Sequence, residues 1–177
     1  CGEAWQALKS RYPDLALVIV PRHAERAPDF KPELEALGLT PIFRGAVQLN
    51  PDVAPEDSPV VYVSDTTGEL RAWFQIASVV FMGKSLTGKG GQNPVEPILA
   101  GKPVIVGPHM QNFREVVEDL LREQGLTRVD SAAELEHAIE RFLENPDAGS
   151  AQANRGKLAM EKHHGAASRT ADWILGA

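Results

Sequence analysis

Residues 83–112 read GKSLTGKGGQNPVEPILAGKPVIVGPHMQN, and the fold is decided there. The stretch follows an apolar run, Val79-Val80-Phe81-Met82, that reads as a buried strand. Glycines crowd behind it at Gly83, Gly88, Gly90 and Gly91, where a backbone bends sharply or lets a ligand come close. Asn93-Pro94-Val95-Glu96 then opens a helix, with Asn as N-cap, Pro at the first helical position and Glu at the third. Gly101 stops that helix, Pro103-Val104-Ile105-Val106 makes the next strand, and Gly107-Pro108-His109 is a turn at its end. Two loops therefore leave the carboxyl ends of successive strands, the edge at which an open α/β sheet binds its ligands. Such loops are also plain connectors in every α/β protein. Four adjacent glycine-rich and helix-opening signals, with a lysine and a histidine among them, favour a site.

Residues 83–89 match the spacing G-x-x-x-x-G-K of a phosphate-binding P-loop. That motif needs a Ser or Thr next, to hold magnesium, and Gly90 stands there instead. No later strand ends in an obvious metal-holding Asp, so a nucleotide triphosphatase is disfavoured.

The 177 residues fit one domain of a common size, with chain enough for a sizeable core. Hydrophobic residues at 43% and charged residues at 24% are ordinary for a soluble globular protein. A net charge of −6 argues against a general nucleic-acid binder but leaves room for a local basic pocket. Cys1, the single cysteine, rules out an internal disulfide and fits a reducing compartment. No apolar run approaches membrane-spanning length, and no signal peptide is visible. The chain starts without a methionine and is already helical in pattern over residues 2–11, which suggests a piece of a longer protein.

Along the chain, Ala4, Trp5, Leu8 and Tyr12 form a helical stripe. Residues 15–20 are an unbroken apolar run, expected as a strand buried on both faces of a parallel sheet. Past it stands Pro21-Arg22-His23-Ala24-Glu25-Arg26. Two readings are open here: an arginine fork for a phosphate, or a solvated turn in which Glu25 pairs with Arg22 or Arg26. A short helix closed by Gly38 precedes a strand over residues 39–43, and residues 45–59 read as loop or weak edge. Residues 60–63 are the next strand, followed by Ser64-Asp65-Thr66-Thr67-Gly68-Glu69 and a helix to Ile76. Thr66-x-x-Glu69 has the form of a capping box. The same geometry offers free N–H groups to a phosphate, or a carboxylate to ribose hydroxyls.

Beyond the central stretch, residues 113–124 predict an amphipathic helix stopped by Gly125, with Val116, Val117, Leu120 and Leu121 inward. Ser131-x-x-Glu134 is a capping box without glycines around it, and is read as structural. Asn145-Pro146 breaks the chain, and residues 151–163 and 167–175 read as closing helices. His163-His164 between them lacks further ligands for a metal and is read as surface. Strand and helix alternate about five times, which predicts a doubly wound parallel α/β sheet of five or six strands, as one domain over residues 1–177 with tail helices over 151–177.

The set PRHAER, SDTTGEL, FMGKSL, GGQNPVEP and GKPVIVGPHMQNF resembles the donor-binding half of the 3-deoxy-D-manno-octulosonic acid (Kdo) transferases, from about Leu15 to the end of the chain. The resemblance implies a Rossmann-like half of a two-domain GT-B glycosyltransferase that uses CMP-Kdo as sugar donor. Such an enzyme adds Kdo to lipid A precursor in lipopolysaccharide biosynthesis, at the cytoplasmic face of the bacterial inner membrane. Carried over, Pro21 and Arg22 match one CMP-contacting segment, Thr67, Gly68 and Glu69 a second, and Asn93, Pro94, Val95 and Glu96 a third. The three are expected to converge on one cleft. The family more often has Met at Thr67, His at Gln92 and Leu at Val95. No metal or other cofactor is expected.

The family's catalytic base is a Glu of the amino-terminal domain, so the present chain alone is expected to hold the donor without turning it over. Its expected partners are CMP-Kdo, that amino-terminal domain, and lipid A precursor through it, with no nucleic acid. The alternatives are the donor domain of another GT-B transferase or epimerase using a UDP- or GDP-sugar, and a non-catalytic nucleotide-binding module.

Overall fold

The computed structural model describes residues 1–46 and 61–161. Four expectations lie outside the described residues: the loop over 47–59, a strand start at Val60, the His163-His164 pair and a helix over 167–175. The chain divides into two compact units, Cys1–Ile76 and Ala77–Ala177.

The first unit runs α1 (Gly2–Lys9), β1 (Leu17–Ile19), a 3-10 turn at Ala24–Asp29, α2 (Phe30–Ala36), β2 (Pro41–Phe43), a second 3-10 turn at Arg44–Ala46, β3 (Val61–Val63) and α3 (Leu70–Ile76). Its strands are parallel in the order β1-β3-β2, with Leu17 and Pro41 both in register with Val61. Val61 and Val63 are fully buried and pack with Trp5, Ala27, Leu34 and Leu39, which brings α1 and α2 onto one face. The apolar run over residues 15–20 was expected to be buried on both faces. Only Leu17–Ile19 pairs, all three residues are half-buried, and Val20 is exposed. The reason is position: β3 takes the centre of this sheet and β1 an edge. Gly38 closes α2 as expected, at φ 73, with Leu39 N–H reaching Leu34 O at 2.9 Å and Gly38 N–H reaching Glu35 O at 2.9 Å.

The second unit runs β4 (Val80–Phe81), α4 (Val95–Leu99), β5 (Val104–Val106), α5 (Arg114–Arg122), β6 (Thr127–Arg128), α6 (Ala132–Glu144) and α7 (Pro146–Glu161). Its strands are parallel in the order β4-β5-β6. The expected parallel strands are therefore present, as two three-stranded sheets. Strand β5 is buried throughout, and its side chains alternate between two cores. Val104 and Val106 join Ile98, Val117, Leu120, Ala159 and Met160, whereas Ile105 joins Leu135, Ala138 and Phe142. Helices α4, α5 and α7 thus cover one face and α6 the other, which is the doubly wound arrangement. Gln152 of α7 is buried among them, accepting from Val104 N–H at 3.0 Å and donating to Thr127 Oγ1 at 2.7 Å.

Caps follow the sequence in most places. Ser131 Oγ accepts from Glu134 N–H at 3.2 Å, and Glu134 reaches back to Asp130 N–H at 2.9 Å. Gly101, at φ 81, closes α4. Two expectations need correction. Asn145-Pro146 does not merely break the chain; it starts α7, with Asn145 Oδ1 accepting from Ala148 N–H at 3.0 Å and Pro146 as the first helical residue. Likewise Gly125 is not the residue that turns the chain after α5. Gln124 takes the left-handed conformation, at φ 53, while Gly125 N–H reaches Leu120 O at 2.7 Å. Gly125 is needed for a tertiary reason: a Cβ there would stand 2.6 Å from Gly156 Cα on α7.

This assigns separable costs to neighbouring residues. Gly125→Ala forces backbone against backbone and is expected to destabilise by about 1–3 kcal/mol. Gln124→Gly relieves a left-handed side-chain residue and is expected to be neutral or to stabilise by up to about 1 kcal/mol. Thermal melts of the two variants check this, and a larger loss for Gln124→Gly would reverse the assignment.

Candidate functional site

In the first unit, two of the three motif segments leave the same edge of one sheet. Pro21-Arg22 follows β1, and Thr67-Gly68-Glu69 follows the adjacent parallel strand β3. Ser64 N–H donates to Ile19 O at 2.9 Å, so the sheet's pairing extends to the mouths of both loops. The solvated-turn reading of the Arg22 segment fails in its particulars: Glu25 lies 3.8 Å from His23 Nδ1, and Arg26 pairs with Asp29 at 3.1 Å. Arg22 is exposed and has no ion-pair or hydrogen-bond partner among the described residues.

The Thr66-x-x-Glu69 capping box does not form. Helix α3 begins at Leu70, and Glu69 O accepts from Trp73 N–H at 3.1 Å, so Glu69 is itself the cap residue. The Thr66 hydroxyl donates to the Glu69 carboxylate rather than to a backbone N–H. Glu69 Oε1 accepts a second bond from Arg44 Nη2 at 3.1 Å. One residue on, Gly45 N–H donates to Asp65 Oδ1 at 2.6 Å. Gly68 sits at φ 84, and a Cβ there would meet nothing within 4 Å, so the space over that backbone is open.

In the second unit, the loops after β4 and β5 are tied into one piece. Ser85, fully buried, donates through Oγ to Met82 O at 2.5 Å and accepts from Gly107 N–H at 2.7 Å. Ser85 O also accepts from His109 N–H at 2.8 Å. Further along, Gly90 N–H donates to Gln111 Oε1 at 2.9 Å. Gly91, at φ 65, lies where a Cβ would be 2.2 Å from Met110 Sδ. Lys84 adopts φ 66, a conformation side chains seldom take. Helix α4 begins only at Val95, well past Lys89, whereas a P-loop opens its helix at the lysine.

The expected start of α4 falls one residue later than read. Pro94, already in helical dihedrals, is the cap residue and Val95 the first of the helix, while Asn93 Oδ1 still accepts from Val95 N–H at 3.0 Å. Glu96 accepts from Asn93 Nδ2 at 3.3 Å and remains exposed. Pro94 is fully buried, so its contribution to any site is backbone and shape. Of the nine motif residues, the structure brings Pro21, Arg22, Thr67, Gly68 and Glu69 to one sheet edge, and Asn93, Pro94, Val95 and Glu96 to the corresponding edge of the second sheet.

Sequence reasoning missed Arg44, Asp65 and Ser85. The signal for Arg44 was present, since it is a cation at the exit of a strand, and Arg22 stands three residues past another. Ser85 stood within the FMGKSL motif without a role, because its role depends on how close β5 comes. Chemically, the edge of the first sheet offers Arg22, without a partner among the described residues, a Glu69 carboxylate held by its neighbours, and open backbone at Gly68. That inventory suits a ligand carrying both an anion and hydroxyl groups.

Comparison with known proteins accords with this. The family model for glycosyl transferases group 1 matches residues 57–159. The chain is 34% identical over 170 residues to the 3-deoxy-D-manno-octulosonic acid transferase of Haemophilus influenzae, and 32% identical over 170 residues to that of Bordetella pertussis. Each alignment covers 96% of this chain and 39% of the relative, so the chain spans about two-fifths of the length of those curated relatives. Among solved structures, the C-terminal CMP-Kdo binding domain of WaaA from Acinetobacter baumannii matches with a TM-score of 0.78 at 26% identity, over 89% of this chain and 80% of that one. The parallel sheets, the loops at their carboxyl edges and the family match lead to one conclusion: this chain belongs to the glycosyl transferases group 1 family, with the Rossmann-like fold of a GT-B half.

Proposed function

We propose that this chain is the donor-binding half of a Kdo transferase and holds CMP-Kdo. The observation that carries the reading is the likeness to a CMP-Kdo binding domain over 89% of the chain. In this reading Arg22 meets the phosphate of CMP, Thr67, Gly68 and Glu69 supply open backbone and a carboxylate, and Asn93, Pro94, Val95 and Glu96 form the third contact. The acceptor hydroxyl attacks the anomeric carbon of Kdo as the bond to the CMP phosphate breaks, inverting the centre. The hydroxyl proton goes to a base on a separate amino-terminal domain, which also meets lipid A precursor at the inner membrane. Charge on departing CMP is taken up by Arg22, and no metal forms part of the proposal.

Two variants test the assignment. Arg22→Ala is expected to weaken CMP binding by about 1.5–3 kcal/mol, roughly 10- to 150-fold, because a charge-assisted contact to phosphate is lost. Cytidine, which lacks the phosphate, should bind the two proteins alike; equal losses for nucleotide and nucleoside would remove Arg22 from this role.

Glu96 has two tasks that one substitution separates. Its carboxylate faces Asn93 Nδ2 at 3.3 Å, a bond that an amide oxygen keeps. Glu96→Gln is therefore expected to melt close to the parent yet bind CMP several-fold more weakly, with 2′,3′-dideoxy-CMP little affected. A lowered melting temperature with unchanged CMP affinity would leave Glu96 a helix cap alone.

A further inference from the structure

Arg44 comes from the exit of β2, a strand that carries none of the motif residues, yet it reaches across to the loop after β3. Its Nη2 lies 3.1 Å from Glu69 Oε1, with the two side chains 23% and 32% exposed. Other ion pairs of this unit, Arg26–Asp29 and Lys31–Glu35, are more than half exposed on both partners. The Arg44 contact spans 25 residues of sequence and is reinforced beside it by Gly45 N–H on Asp65 Oδ1 at 2.6 Å. A Cβ at Gly45 would stand 3.0 Å from Asp65 Oδ2, so a side chain there would require that carboxylate to give by a few tenths of an ångström. Two consecutive residues of one loop are thus strapped to two carboxylates of the next.

We propose that Arg44 is a positioning residue for donor binding, acting through Glu69. The backbone of Glu69 is fixed at the start of α3, where its carbonyl accepts from Trp73 N–H. Its side chain would still have three free dihedrals. Arg44 on Oε1 and the Thr66 hydroxyl on Oε2 hold both oxygens from different sides. A carboxylate offers about four lone-pair sites, so about two remain for a ligand's hydroxyl hydrogens. A group held in place before binding loses less freedom when the ligand arrives. Arg44 therefore contributes to affinity without touching the ligand. The inference rests on the reading of Glu69 as part of the CMP site.

Calorimetric titration of CMP into five proteins tests it: the parent chain, Arg44→Met, Arg44→Lys, Glu69→Gln and the Arg44→Met/Glu69→Gln double variant. Arg44→Met keeps the stem and removes the guanidinium, and is expected to weaken CMP binding roughly three- to tenfold. In the Glu69→Gln background the same change should have little further effect, because the group it positions has gone. Arg44→Lys restores a cation to a contact made through one nitrogen and should recover most of the loss. Cytidine should report the same pattern as CMP.

Each other result overturns the proposal in its own way. A full Arg44→Met loss that persists beside Glu69→Gln, and that spares cytidine, would make Arg44 a direct phosphate ligand. An Arg44→Met variant that melts lower while its CMP affinity is unchanged would make the bridge a loop tie only. No effect of Glu69→Gln on CMP binding, or no CMP binding by the parent, would fail the Glu69 reading itself and take the inference with it.

Discussion

The carboxyl edge of the second sheet depends on a hydrogen atom where any other residue would have a carbon. A Cβ at Gly107 would stand 2.3 Å from Ser85 O and 2.5 Å from Leu86 Cα, which are backbone atoms that cannot swing aside. Into that narrow gap the Ser85 hydroxyl fits, bonded on one side to Met82 O and on the other to Gly107 N–H. The loop after β4 and the turn after β5 consequently behave as one body, extended outward by Gly90 on Gln111 and Gly91 against Met110. Helix α4, with Asn93 and Glu96 at its start, hangs from the far end of that body. A site built this way is shaped by backbone and needs few side chains to hold its form.

The first unit solves the same problem differently. Its loops are joined by charge, with Arg44 on Glu69 and Gly45 N–H on Asp65. A partly exposed ion pair contributes about 0–1 kcal/mol to stability, so the pair matters more for where it puts a carboxylate than for whether the chain folds. Beside that pair, Arg22 has no partner among the described residues.

Local signals were legible and tertiary ones were not. Ser131-x-x-Glu134, Asn93-Pro94 and the left-handed turns at Gly38 and Gly101 act through residues within a few positions, and each forms within a residue of where it was read. The same rule at Asn145-Pro146 was misread as a break, although it carries the Asn-then-Pro order seen at Asn93-Pro94. Gly125 looked like a helix stop because glycines usually are. What requires it is Gly156, 31 residues on, and nothing local could say so. Residues 15–20 looked like a central strand because apolarity does not distinguish the middle of a sheet from its edge. At the site, the motif segments were found by their glycines, caps and arginines and by the family resemblance. The partners that hold them, Arg44 and Ser85, emerge only when strands distant in sequence become neighbours.

If this chain is the donor-binding half proposed above, it prefers a cytidine nucleotide, and calorimetric titration of CMP, UMP and GMP into the chain at one ionic strength tests that preference. Cytosine differs from uracil in the groups at its pyrimidine edge, and one matched hydrogen bond against one unmatched group is worth about tenfold in affinity or more. Saturable binding of CMP at one site is expected, with UMP and GMP weaker by at least about that factor. Equal affinities for the three nucleotides, or a preference for UMP or GMP, would contradict it.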